Sequence, residues 1–276
     1  MAITAKDVNK LRQMTGAGMM DCKKALVEAD GDFDKAVEIL RKKGQKISAS
    51  RSDRETNEGT VFVKTSDDHK EGIVLSLNCE TDFVAKNEEF QTTGNKVLET
   101  AFEHKPANLE ELKKLKIGDL TIDEKLTELV GKIGEKINIG AYEILSGEMV
   151  VSYLHAGSRL GVLVAMENVG GDAEEAGRDV GMQIAAMKPI ALDKDGVDQS
   201  TIDNELKIGR EQALAEGKPD KIIDKIAEGK LNKFLKENTL ANQAFVKDPS
   251  MTVSQYLDSV NKGMKVSAFK RVSVGE

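Results

Sequence analysis

Apolar positions along the chain change period after about the first fifty residues, and that change separates a helical stretch from a mixed one. Thr4 followed by Asp7 reads as a helix N-cap, with Val8 and Leu11 supplying the first apolar face. Gly16-Ala17-Gly18 reads as its stop. Cys22, Ala25, Leu26 and Ala29 recur at i, i+3, i+4 and i+7, which is one helical face. Gly31 ends that helix and Asp32 caps the next, which carries Phe33, Ala36, Val37 and Leu40 until Gly44 ends it. Three such stripes can bury one another in a small bundle. Lys46 to Asn57 has no convincing apolar face and reads as a linker, with partial helix as the alternative.

From Gly59 the pattern becomes strand-like. Thr60-Val61-Phe62-Val63 and Ile73-Val74-Leu75-Ser76-Leu77 flank a polar turn, Ser66 to Glu71. A helix capped by Asn87 follows, with Phe90, Val97, Leu98, Ala101 and Phe102 on one side. A second begins at the capping box Thr121/Glu124 and bears Leu126, Leu129, Val130 and Ile133. Ile137 to Leu145 reads as a strand. The order then recurs: Met149 to Tyr153 and Leu160 to Ala165 as strands, then a helix capped by Asp172 with Glu175. This predicts an internally duplicated α+β core with antiparallel sheets. Ser200 to Asn238 interrupts the second copy as two helices joined at Gly217-Lys218-Pro219, a projecting helical hairpin. A helix capped by Thr252/Gln255 and a strand from Met264 to Val274 close the sequence. The expected segments are 1–54 (three helices and linker), 55–146 and 147–194 (the core halves), 195–242 (hairpin) and 243–276 (the remainder of the second half).

The composition narrows the function classes. The 276 residues are 39% hydrophobic and 32% charged, with a net charge of −7, an ordinary globular profile that argues against a phosphate-gripping nucleic-acid binder. No apolar run is long enough for a membrane span, and the N-terminus lacks the form of a secretion signal. Cys22 and Cys79 lie too far apart for a disulfide framework or zinc cluster, which fits a reducing cytosol. There is no Walker-type phosphate loop, no dinucleotide fingerprint and no nucleophile elbow. His69, His104 and His155 show no metal-ligand spacing. The pattern favours a binding protein without cofactor or metal over an enzyme.

Two segments stand out. Thr81-Asp82-Phe83 follows the first buried strand. Taken alone, Thr81 or Asp82 caps a short helix and Phe83 enters the core. The repeat offers a control, because aligning Gly72 with Gly161 sets Gly170-Gly171-Asp172 opposite Thr81-Asp82-Phe83. The scaffold does not require an aromatic there, so an exposed Asp-Phe tip is the alternative. Met19 and Met20 sit between two helices, where spacing favours core and methionine chemistry suits an adaptable binding surface. His155, at a strand-loop boundary, reads as a polar loop residue.

Leu11-Arg12-Gln13-Met14-Thr15-Gly16-Ala17-Gly18-Met19-Met20-Asp21-Cys22-Lys23-Lys24-Ala25-Leu26 and Asn78-Cys79-Glu80-Thr81-Asp82-Phe83-Val84-Ala85-Lys86-Asn87 resemble the two signature motifs of the elongation factor Ts family. Shorter matches, including Gly131 to Glu135, Tyr153-Leu154-His155 and Gly217-Lys218-Pro219, extend the resemblance in order along the chain. It implies a ubiquitin-associated-like three-helix domain, a duplicated core, a helical hairpin and a cytoplasmic guanine nucleotide exchange factor for elongation factor Tu. It further implies that Arg12, Met19, Met20 and Lys23 contact the partner's nucleotide-binding domain. Thr81, Asp82, Phe83 and Val84 would disturb its Mg²⁺ site, and His155, Phe245 and Val246 would contact it from the second core half. Two factor-partner pairs joined through the hairpin or core are a further expectation. Three features depart from the family pattern: Gly140-Ala141 replaces a basic pair, Lys247 stands where an apolar residue can occur, and the sequence stops at Glu276 without the C-terminal helical module of longer members.

Overall fold

A computed structural model of the chain describes residues 3–276. The N-terminal unit comprises α1 (Ala5–Thr15), α2 (Met19–Glu28) and α3 (Phe33–Ser50). Thr4 and Asp7 form the expected capping box, and Gly16 leaves α1 in the left-handed region at φ 68°. Val8, Leu11, Cys22, Ala25, Leu26, Ala29 and Ala36 make its small core. Gly44 does not end α3. The helix continues to Ser50, because Gly44 is where α3 crosses a core helix, α7 (Ile122–Ile133). A Cβ on Gly131 of α7 would stand 2.8 Å from the Cα of Gly44, so the two glycines allow the backbones to meet. The expected linker is therefore partly helix, and Ile47 packs on the core.

The core is two antiparallel three-stranded sheets. The first, ordered β1-β2-β5, contains β1 (Glu58–Thr65), β2 (Glu71–Cys79) and β5 (Ile137–Ser146). Helices α5 (Glu88–His104) and α7 cover one face, burying Phe62, Ile73, Leu75, Leu77, Phe90, Val97 and Leu129. Ahead of α5 lies one helical turn, α4 (Asp82–Ala85). Between α5 and α7 come α6 (Leu109–Lys114) and a two-stranded hairpin of β3 (Lys116–Ile117) and β4 (Leu120–Thr121), none of which the apolar pattern announces. The second sheet, ordered β10-β7-β6, contains β6 (Met149–Leu154), β7 (Leu160–Glu167) and β10 (Lys265–Ser273). Its outer face packs on α8 (Ala173–Met187) and α11 (Val253–Val260).

The inner faces of the two sheets bury Val61, Val74, Leu145, Val150, Leu163, Ala165, Val272 and Val274 against each other. Alternation along β2 explains this: Ile73, Leu75 and Leu77 face the helices, while Gly72 and Val74 face the other sheet. Gly72 and Gly161 hold matching positions. A Cβ on the first would lie 2.8 Å from Leu163, and on the second 2.6 Å from Val61. The hairpin helices α9 (Gln199–Ala215) and α10 (Asp220–Asn238) leave the second half between Ala191 and Leu240, whose backbones are hydrogen-bonded at 3.0 Å. After the hairpin, β8 (Ala244–Phe245) and β9 (Asp248–Thr252) lead into α11. Among the described residues no helix is long and apolar enough to cross a membrane.

Candidate functional site

Burying a phenylalanine side chain stabilises a fold by about 1.5–3 kcal/mol, yet Phe83 is 82% exposed. It does not enter the core, contrary to the reading of its motif in isolation. The turn that carries it is tightly fixed. Thr81 caps α4, its Oγ1 accepting from the Val84 N–H at 3.4 Å. The Thr81 N–H and Oγ1–H both donate to the Glu135 carboxylate, at 3.1 and 2.8 Å. Val84 and Ala85 are buried and hold the turn down. Val84, expected to share in the tip, is thus its footing. Asp82 stays exposed, paired with Lys86 at 2.7 Å, and that ammonium holds its carboxyl below the usual value. Cys79 is no nucleophile: burial, then the neighbouring Glu135 carboxylate, push its thiol up to about 12.

The methionines behave similarly. Met19 and Met20 are 52% and 61% exposed, so the core reading from spacing gives way to a surface one. Arg12 and Lys23 are exposed beside them on α1 and α2. Met14 and Val27, which the sequence reading did not single out, are also open to solvent. In the second core half, His155 is exposed in the β6–β7 turn and its Nδ1 lies 2.9 Å from the Tyr153 hydroxyl. Phe245 is buried, stacked on Tyr256 with ring centroids 4.1 Å apart, so it shapes the surface from beneath instead of presenting itself. Its neighbour Val246 is exposed, anchored by its N–H to Gln183 Oε1 at 2.8 Å. Lys247 pairs with the buried Asp179, which also accepts from the Tyr256 hydroxyl at 3.0 Å. Burial, with Asp179 second, pushes that phenol up to about 12. Lys247 thus neutralises an acid under the strand.

These patches are joined through the body of the protein. Gly16, just before the methionines, rests on the Lys132 side chain, and Lys132 donates to Glu89 at the start of α5 at 2.7 Å. From α4, the Ala85 carbonyl accepts from Thr60 of β1. The next residue, Val61, donates its N–H to the Ser158 carbonyl in the His155 turn at 2.7 Å. Tyr153 then packs against Gly181 of α8, two residues from the Gln183 that holds Val246. Among the described residues no group of three or more His, Cys, Asp or Glu could hold a metal ion. Exposed apolar side chains on fixed supports can bind another surface.

A family model described as Elongation factor TS matches residues 80–276, from the tip segment to the last residue. The chain belongs to the elongation factor Ts family. The Elongation factor Ts of Amoebophilus asiaticus is 59% identical over 278 residues, covering 100% of both chains. That of Cytophaga hutchinsonii is 55% identical over 274 residues, and that of Christiangramia forsetii 50% over 273, each covering 99% of both chains. The family is one of translation elongation factors, and its α+β fold is the one described above. These relatives extend elongation factor Ts similarity across the N-terminal unit, which lies outside the family-model match.

Proposed function

We propose that this chain is a guanine nucleotide exchange factor that binds elongation factor Tu in the cytoplasm and promotes release of its GDP so that GTP can bind. The observation that carries the reading is Phe83, 82% exposed on a turn pinned by Thr81 and Glu135. The fold gains nothing from an aromatic there, and a partner can.

A nanomolar nucleotide complex is worth about 12 kcal/mol. Backbone amides around the phosphates and a bridging Mg²⁺ supply much of that grip. Inserting Phe83 into the partner returns roughly 1.5–3 kcal/mol, which is the scale of a hot spot but too little to expel the nucleotide alone. Linkage makes the effect reciprocal, so whatever weakens GDP binding weakens the factor equally when GDP is bound. The factor therefore needs a separate hold. Arg12, Met19, Met20 and Lys23 supply it on the nucleotide-binding domain, while His155 and Val246 supply it from the second core half. Asp82 and Phe83 displace the elements that position the partner's Mg²⁺. Labour is divided accordingly: segment 1–54 anchors, 55–146 carries the tip, 147–194 with 243–276 makes the second contact, and 195–242 projects as the hairpin. Joining of two factor-partner pairs through hairpin or core belongs to the same proposal.

The test is displacement of a fluorescent GDP analogue from elongation factor Tu by excess unlabelled GDP. Substoichiometric amounts of this chain should accelerate release catalytically. Stoichiometric binding without acceleration would reduce it to an interaction protein and remove the exchange reading.

A further inference from the structure

Glu80 immediately precedes the tip, and its side chain is only 14% exposed. Its carboxylate accepts from Arg51 at 2.8 Å, Arg54 at 2.9 Å and the Lys136 backbone N–H at 2.6 Å. Lys136 in turn donates its Nζ to the carbonyls of Ser52, at 2.6 Å, and Arg54, at 2.8 Å. Residues 51–57 join α3 to β1, and the first four of them are stitched to the base of the tip by both side chain and backbone. One residue further on each side, Glu135 holds the Thr81 N–H and hydroxyl. The turn after α7 thus grips the linker through Lys136 and the tip through Glu135.

We infer that Glu80 and Glu135 are positioning residues that lock the N-terminal unit and the Phe83 tip into one rigid body. The inference rests on the exchange reading above. Its physical basis is pre-organisation. α3 already packs on α7 through Gly44 and on the core through Ile47; the clamp on residues 51–54 and on Thr81 removes the play that remains between the methionine face and Phe83, and with it loop entropy otherwise lost on binding. With the linker locked, seating the one delivers the other. An isolated exposed ion pair would contribute little. Here three donors converge on one mostly buried carboxylate, and a glutamine in its place keeps the shape while losing the charge.

The experiment uses the full chain as Glu80→Gln and as Arg54→Gln, whose altered side chain is 58% exposed and outside any core. Nucleotide release is measured over a range of elongation factor Tu concentrations. The expected result is a kcat lowered about tenfold with KM within about twofold of the parent, because binding persists and delivery of the tip is lost. In parallel, trypsin should cut Glu80→Gln after Arg51 or Arg54 about tenfold faster than the parent, with the circular dichroism spectrum unchanged, as expected for a local opening. Met20→Ala and Phe83→Ala should also become multiplicative in the Glu80→Gln background while remaining coupled in the parent. Parental kcat in both variants with a protected linker would overturn the inference, as would a raised KM at parental kcat. Should Glu80→Gln misfold, Arg54→Gln alone decides the kinetics. A parent chain with no exchange activity would count against the function proposed above, and the protease result would still decide the lock.

Discussion

The two halves of the core use one scaffold position in opposite ways. In each half a central strand, β2 or β7, carries near its start a glycine that faces the other sheet, then runs to a loop and a covering helix. After β2 the loop is Thr81-Asp82-Phe83, capped, clamped by Glu135 and open to solvent. After β7 it is Gly170-Gly171-Asp172. Gly171 sits at φ 58°, and Asn261 crowds Gly170 so closely that a Cβ there would lie 2.8 Å away. Asn261 also donates to the Asn168 carbonyl at 2.8 Å, while Asn168 donates to that of Gly263 at 3.1 Å. The second loop is therefore closed by the segment that follows α11, whereas the segment after α7 holds the first only at its base, through Glu135, and leaves Phe83 open. A loop that the fold can build as Gly170-Gly171-Asp172 carries an exposed aromatic, Phe83, opposite Asp172 in the other copy, which separates what the scaffold needs from what a partner would use.

The comparison can be broken at several points. The largest effect on stability is expected at the paired glycines. Gly72→Val and Gly161→Val each overpack the layer between the sheets and should each cost about 1–3 kcal/mol in denaturant unfolding. Similar costs would support the matched roles, and a neutral result at either would break the symmetry. Lys247→Met removes the cationic partner of the buried Asp179 and should cost about 1–2 kcal/mol in the same assay. The cost stays modest because Lys247 is 46% exposed. Gly171→Ala places a Cβ on a left-handed residue and should cost about 1 kcal/mol, whereas Asp82→Ala at the equivalent loop position of the first half should leave stability within about 0.5 kcal/mol.

A separate prediction concerns pH dependence. Burial raises the pKa of Glu80, but the Lys136 N–H and the Arg54 and Arg51 guanidiniums outweigh it and hold the carboxyl at about 2, against an ordinary 4.5. A folded-state value below the unfolded one means that Glu80 stabilises the fold above pH 4.5 and loses that contribution as pH falls towards 2. Acid titration of stability should therefore be shallower in Glu80→Gln than in the parent within that window. Identical acid limbs would mean that the carboxylate is not held as described.

Local chemistry was the most legible part of the sequence. The capping boxes at Thr4/Asp7, Thr121/Glu124 and Thr252/Gln255 all form, as does the Asn87 cap, because each needs only residues three apart or fewer. Asp172 fails that test: it precedes α8 but makes no side-chain cap bond. Gly44 misled because a glycine that ends a helix and one that lets two helices touch look alike in one dimension. The linker's hold was not legible because its partners, Glu80 and Lys136, are distant in sequence. Side-chain direction was the least legible. Met19 and Met20, for which spacing favoured core, face solvent, while Phe245 and Val84, expected at the surface, face inward. Apart from the family resemblance, Phe83 was readable because the second core half provides an internal control.

The central claim is that Phe83 acts in exchange and not merely in attachment. The direct measurement is the rate of fluorescent GDP release catalysed by Phe83→Ala, set beside its affinity for nucleotide-free elongation factor Tu. Release should slow by about tenfold or more while affinity falls by a clearly smaller factor, the signature of an interaction spent on displacing the nucleotide. Equal losses in rate and affinity would make Phe83 an anchor and contradict the account.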